Sequence, residues 1–112
     1  MQSYILGARA REKVQLAQLK QRQNQGLEIA KQAAKLLRQE FGATRVILFG
    51  SMLKPHIHKN SDIDLAVWNL PKSDYFKAVG KLQGLSEFAI DLIEPDKAPA
   101  YIIEAIAQGI EL

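Results

Sequence analysis

Asp62 and Asp64 flank Ile63 at the head of an apolar run that continues as Leu65-Ala-Val-Trp68. If that run is a strand, alternate side chains share a face, and the two carboxylates project together roughly 6.6 Å apart along the chain. Carboxylates at that separation can converge on two divalent ions lying about 3.5–4 Å apart. Paired aspartates at the rim of a core strand repel each other, and a bound cation removes the penalty. Hard oxygen ligands suit magnesium, with manganese as its substitute. A third carboxylate, Asp91, interrupts the apolar stretch Phe88-Ala-Ile-Asp-Leu-Ile93. A mid-strand carboxylate costs burial energy unless it is hydrogen-bonded or metal-bound. Gly50-Ser51 directly follows another apolar run, Arg45-Val-Ile-Leu-Phe49. A glycine and a serine there let backbone N–H groups approach phosphate oxygens, and the Ser51 hydroxyl adds a donor.

Each feature alone has a plainer reading. Asp-x-Asp occurs as solvated or capping residues, Gly-Ser as a simple turn with a helix cap, and a strand Asp as a buried structural group. Two alternatives fail on spacing. A calcium loop needs oxygens and a glycine where this chain has Leu65, Ala66 and Val67, and no Gly-x-x-x-x-Gly-Lys-Ser/Thr phosphate loop occurs. His56 and His58 form a His-x-His in a loop, but with no third soft ligand nearby they read as solvated side chains rather than a transition-metal site.

The elements that must position these residues are legible from periodicity. Leu27, Ala30, Ala34, Leu37 and Phe41 recur at spacings of three and four, one apolar stripe on a helix that Gly42 stops. Helix is expected from about Ala8, with Asn24-Gln25-Gly26 dividing or weakening it. Its first part, Arg9 to Gln23, is basic: Arg9, Arg11, Lys13, Lys20 and Arg22 stand against Glu12 alone. Strands are expected at 45–49, 63–68 (ended by Asn69-Leu-Pro71) and 88–93 (ended by Pro95). Ser73 is placed to cap a helix running to about Gln83, and a last helix spans Ala98 to Gln108 with Gly109 at its end. Helices alternating with three strands give an α/β class, a small mixed sheet flanked by helices.

Length and composition set limits. The 112 residues fit one domain, and 47% hydrophobic with 24% charged residues is a globular rather than a disordered balance. No cysteine means no disulfide, thiolate ligand or thiol nucleophile. The start lacks a signal-peptide pattern and no run approaches a membrane span, so a cytoplasmic protein without membrane contact is expected. A net charge of +3 suits phosphates or an acidic partner, but the interspersed acidic residues fall short of a nucleic-acid footprint.

Taken together, Gly50-Ser51, ten residues, Asp62-Ile-Asp64 and a later strand aspartate at Asp91 resemble the polymerase-β-like nucleotidyltransferase superfamily. More closely, the chain resembles the minimal nucleotidyltransferase (MNT) antitoxins encoded beside HEPN-domain toxins. The resemblance runs from about Leu27 to Leu112 and includes the Leu-Phe-Gly-Ser turn, Ser61-Asp-Ile-Asp-Leu65 and the Gly109-Ile-Glu-Leu112 end. It implies that Asp62 and Asp64 bind two magnesium ions, that Asp91 completes the catalytic metal site and helps activate the attacking hydroxyl, and that Gly50, Ser51 and Ser61 bind the nucleotide, ATP. It further implies transfer of AMP to a hydroxyl, a tyrosine's, on a HEPN ribonuclease toxin, with the two chains forming an assembly. One departure stands out. Many relatives carry an arginine soon after the Gly-Ser pair, where this chain has Met52 and Leu53, leaving Lys54 or Lys59 to contact phosphate.

Residues 1–26 thus read as a basic helical extension serving association, and 27–112 as the minimal nucleotidyltransferase domain. Two competing functions remain open on sequence. One is a stoichiometric antitoxin that binds without chemistry; against it stand the three carboxylates and the Gly-Ser turn. The other is a transferase for a small molecule or RNA; against it stands the want of a second domain to hold the acceptor.

Overall fold

The computed structural model describes residues 2–55, 57 and 61–112, with side chains from residue 10 onward. His56, His58 and Lys59 lie outside the described residues. Helix α1 (Gln2–Phe41) runs unbroken for 40 residues. At about 1.5 Å per residue it is some 60 Å long, so it sets the 62 Å long axis of the molecule. Of the two courses left open at Asn24-Gln25-Gly26, a division of the helix does not occur. The helix ends where Gly42 takes a left-handed φ of 73° and the Ala43 N–H reaches back to the Leu37 carbonyl at 3.1 Å, a closure that satisfies its last turn.

Beyond α1 the chain forms β1 (Arg45–Phe49), β2 (Ile63–Trp68), α2 (Tyr75–Gln83), β3 (Ile90–Ile93), α3 (Ala100–Ala107) and β4 (Ile110–Glu111). Short 3-10 turns at Gly50–Leu53, Lys72–Asp74 and Pro95–Lys97 connect them. The sheet order is β3-β2-β1-β4, with β2 and β3 parallel and the other two pairs antiparallel. β4 exceeds the three expected strands; at two residues it is too short to show a period. Gly109 permits it, since a Cβ there would stand 2.5 Å from the Leu48 carbonyl oxygen.

Other boundaries moved by local chemistry. The Ser73 region forms a 3-10 turn before α2 starts at Tyr75, and no side chain caps that helix. β3 starts two residues late because Phe88 turns into the core, its N–H held by Ser86 Oγ at 3.1 Å. α3 starts after Pro99, with Ala98 in extended backbone.

The strand alternation divides the core in two. Val46, Leu48, Ile63, Leu65, Val67, Ile90 and Leu92 point to one face, packed with Ala30, Ala33, Ala34 and Leu37 of α1 and Ala78 and Leu82 of α2. Ile47, Phe49, Ala66, Trp68 and Ile93 point to the other face, where Ile102, Ala105 and Ile106 of α3 cover them. By the same alternation Asp64 shares the α3 face with Ala66, and Asp91 shares it with Ile93. The helical arm before the domain is solvated: every side chain from residue 10 to 18 is exposed.

Candidate active site

The site forms where β2 and β3 begin. In that parallel pair Asp64 stands in register beside Asp91, on strands about 4.8 Å apart. The carboxyl groups stand close enough for the charge of Asp91 to act on Asp64. Asp64 is the half-buried member and Asp91 the exposed one. Burial, then the charge of Asp91, then that of Asp62 push the Asp64 carboxyl up to about 6. The sequence placed the burial cost at Asp91; it falls instead on Asp64, because β3 is an edge strand and β2 is central. Asp62 precedes β2 and is exposed, acting on Asp64 through charge.

The Gly-Ser turn lies on top of this pair. Phe49 pairs with Asp64 across β1 and β2, so the chain leaving β1 must turn over that carboxylate. Gly50 does so with φ 82°, and a Cβ there would collide with Asp64 Oδ2. Glycine is therefore required twice, by conformation and by contact. Ser51 follows, half-buried, in the 3-10 turn, and Ser61 is buried next to Asp62. Of the six residues singled out, Gly50 meets Asp64 and Asp64 pairs with Asp91, while Ser51, Ser61 and Asp62 lie close by in the chain. Lys54 is exposed after the turn.

Two residues the sequence did not single out reach the turn from α1. Gln23 donates hydrogen bonds to the Met52 and Lys54 carbonyls, and Gly26 leaves room for the Met52 thioether. Gly26 offered the one signal: a glycine inside a helix costs about 1 kcal/mol against alanine unless something packs on it.

The donor set suits a hard divalent cation. Two neighbouring carboxylates repel each other, and a bound cation would relieve that repulsion. Among the described residues no group of three His, Cys, Asp or Glu side chains forms a ready metal cluster; the pair is Asp64 and Asp91, with Asp62 adjoining.

A small mixed sheet with aspartates on two neighbouring strands beneath a Gly-Ser turn defines the class: a nucleotidyltransferase domain. The family model described as polymerase beta, nucleotidyltransferase matches residues 31–112, and the chain belongs to that family. Among solved structures, a chain of a mutant toxin-antitoxin MntA-HpeT crystal structure superposes with a TM-score of 0.61 at 25% identity, over 73% of this chain and 70% of that one. A chain of a toxin-antitoxin crystal structure with AMP-PNP gives 0.58 at 28% identity, over 70% and 67%. A structure described as a minimal nucleotidyltransferase gives 0.52 at 24% identity, over 87% and 95%, a likeness of fold. No curated protein matches the chain.

Proposed function

We propose that this chain is the antitoxin of a toxin–antitoxin pair and transfers AMP from ATP to a hydroxyl, a tyrosine's, of a HEPN ribonuclease toxin. The observation that carries the reading is the placement of Gly50 against the Asp64 carboxylate beside Asp91. A phosphate-approaching turn and a carboxylate pair then address one small volume. The toxin-antitoxin relatives support the partner, and the relative solved with AMP-PNP supports the nucleotide.

In this reading Gly50 and Ser51 hold the triphosphate through backbone N–H groups and the Ser51 hydroxyl, with Ser61 completing the nucleotide site. Asp62, Asp64 and Asp91 hold magnesium, which when bound neutralises phosphoryl charge and aligns nucleophile and leaving group. The acceptor oxygen forms a bond to the α-phosphorus, the bond to the bridging oxygen breaks, and pyrophosphate leaves. In this reading Asp91, exposed at the sheet edge, takes the hydroxyl proton. The exposed arm before Leu19 serves association, and no side chain of this domain need act as acceptor. An adenylyl group would add bulk and negative charge where a ribonuclease approaches RNA phosphates.

Calorimetry of ATP binding with and without magnesium tests the site. The parent should bind only with the metal, and Asp64→Asn should fold but lose that binding; equal affinity in the variant contradicts the assignment.

A further inference from the structure

The turn that carries Gly50 and Ser51 is gripped from behind by α1. Gln23 Nε2 donates to two carbonyl oxygens at once, those of Met52 and Lys54, each at 2.9 Å. Carbonyls at the end of a short helical turn have no partner within it, so an outside donor must supply one. Three residues on, along the same face of α1, Gly26 meets the same segment. A Cβ at Gly26 would stand 2.6 Å from Met52 Sδ and 2.7 Å from Met52 Cε, and Met52 is fully buried. Phe88 closes the other side: its ring lies 3.4 Å from that Cβ position and carries the Arg22 guanidinium at 4.3 Å.

We propose that Gln23 is a positioning residue that holds the Gly50–Ser51 turn in its nucleotide-receiving conformation, with Gly26 seating Met52 beneath it. The inference rests on the reading that this turn holds the triphosphate. Main-chain donors give full affinity only when the segment is ordered before the ligand arrives, because ordering it on binding subtracts from the gain. Within the turn the Lys54 N–H also bonds to the Ser51 carbonyl at 3.2 Å. Gln23 adds two bonds from a rigid helix. The clamp also explains why a glycine sits within α1 at all. It lies outside residues 31–112, which the family match covers, so it belongs to the part of the chain that the sequence assigned to the extension.

The test pairs Gln23→Met, which keeps the side chain's length and loses its donor, with Gln23→Ala, which loses both. ATP–magnesium affinity is read by calorimetry and folding by the melting temperature. Both variants should bind ATP roughly fivefold to tenfold more weakly, the worth of about one net hydrogen bond, and melt close to the parent. Parent-like affinity in both variants overturns the proposal. A loss confined to Gln23→Ala, or one that tracks a fall in melting temperature, assigns Gln23 to packing and overturns it too. A parent that binds no ATP–magnesium removes the nucleotide reading itself, and the clamp with it. Measuring the parent first keeps the two failures apart.

Discussion

Asp64 and Asp91 are direct neighbours across the parallel β2–β3 pair, and Gly50 closes over the Asp64 carboxylate. Two acids so placed cannot both ionise cheaply in the metal-free chain. A hard cation bound there would relieve that repulsion, and the first three predictions follow from this arrangement.

Stability should depend on pH through Asp64. Its folded value of about 6 lies above the ordinary 3.8, so between those values the folded chain holds a proton that the unfolded chain has released. The contribution is complete below about pH 4 and is lost as pH rises through about 6. In chelator, the parent's melting temperature minus that of Asp64→Asn should therefore decline over this window, and magnesium should restore it at pH 7. A flat difference contradicts the geometry.

Removing the neighbouring charge should release Asp64. In Asp91→Asn the Asp64 carboxyl should titrate below about 6 yet stay above the ordinary range, since burial is the larger cause of its shift. Carboxyl-carbon NMR titration reads this directly. An unmoved Asp64 would separate the two residues.

Gly50→Ala should lose nucleotide binding and stability together. A left-handed φ costs a non-glycine residue about 1–2 kcal/mol, and the new methyl group also meets the Asp64 carboxylate. Denaturant unfolding should show at least that loss. A variant as stable as the parent would mean that the turn sits elsewhere.

The arm before the domain should be dispensable for folding. Val14 and Leu16 are 55% and 52% exposed, so a chain beginning at Leu19 should melt close to the parent and bind ATP–magnesium equally, while co-purifying less of its partner. Extending the deletion past Gln23 should then weaken nucleotide binding. Equal nucleotide affinity in both truncations, or unchanged partner recovery in the shorter one, contradicts this division of labour.

Much of the fold was legible because its signals are strong. The α1 stripe from Leu27 to Phe41, the β1 run into Gly50 and the β2 run after Asp62 are long or sharply punctuated, and each appears within a residue or two of its expected place. β4 was not legible, since two residues carry no period and its pairing depends on Gly109 meeting Leu48. Whether α1 divides at Asn24-Gln25-Gly26 stayed open in the sequence for a related reason. Asn24-Gln25-Gly26 reads locally as a helix breaker, while the packing that holds it helical comes from Met52 and Phe88, far along the chain. The meeting of Asp64 with Asp91 is a matter of register, which the Asp-x-Asp spacing does not state. Gln23 gave no signal, because glutamine is common on a polar helix face and its two acceptors are backbone atoms.

The central claim is that this chain adenylylates its partner, and intact-mass measurement of the co-expressed toxin tests it most directly, with parent and Asp64→Asn chains side by side. The account predicts one or more added adenylyl masses with the parent and none with the variant, the modified site mapping to a tyrosine. A toxin that is neutralised at unchanged mass would contradict it and leave binding alone as the antitoxin mechanism.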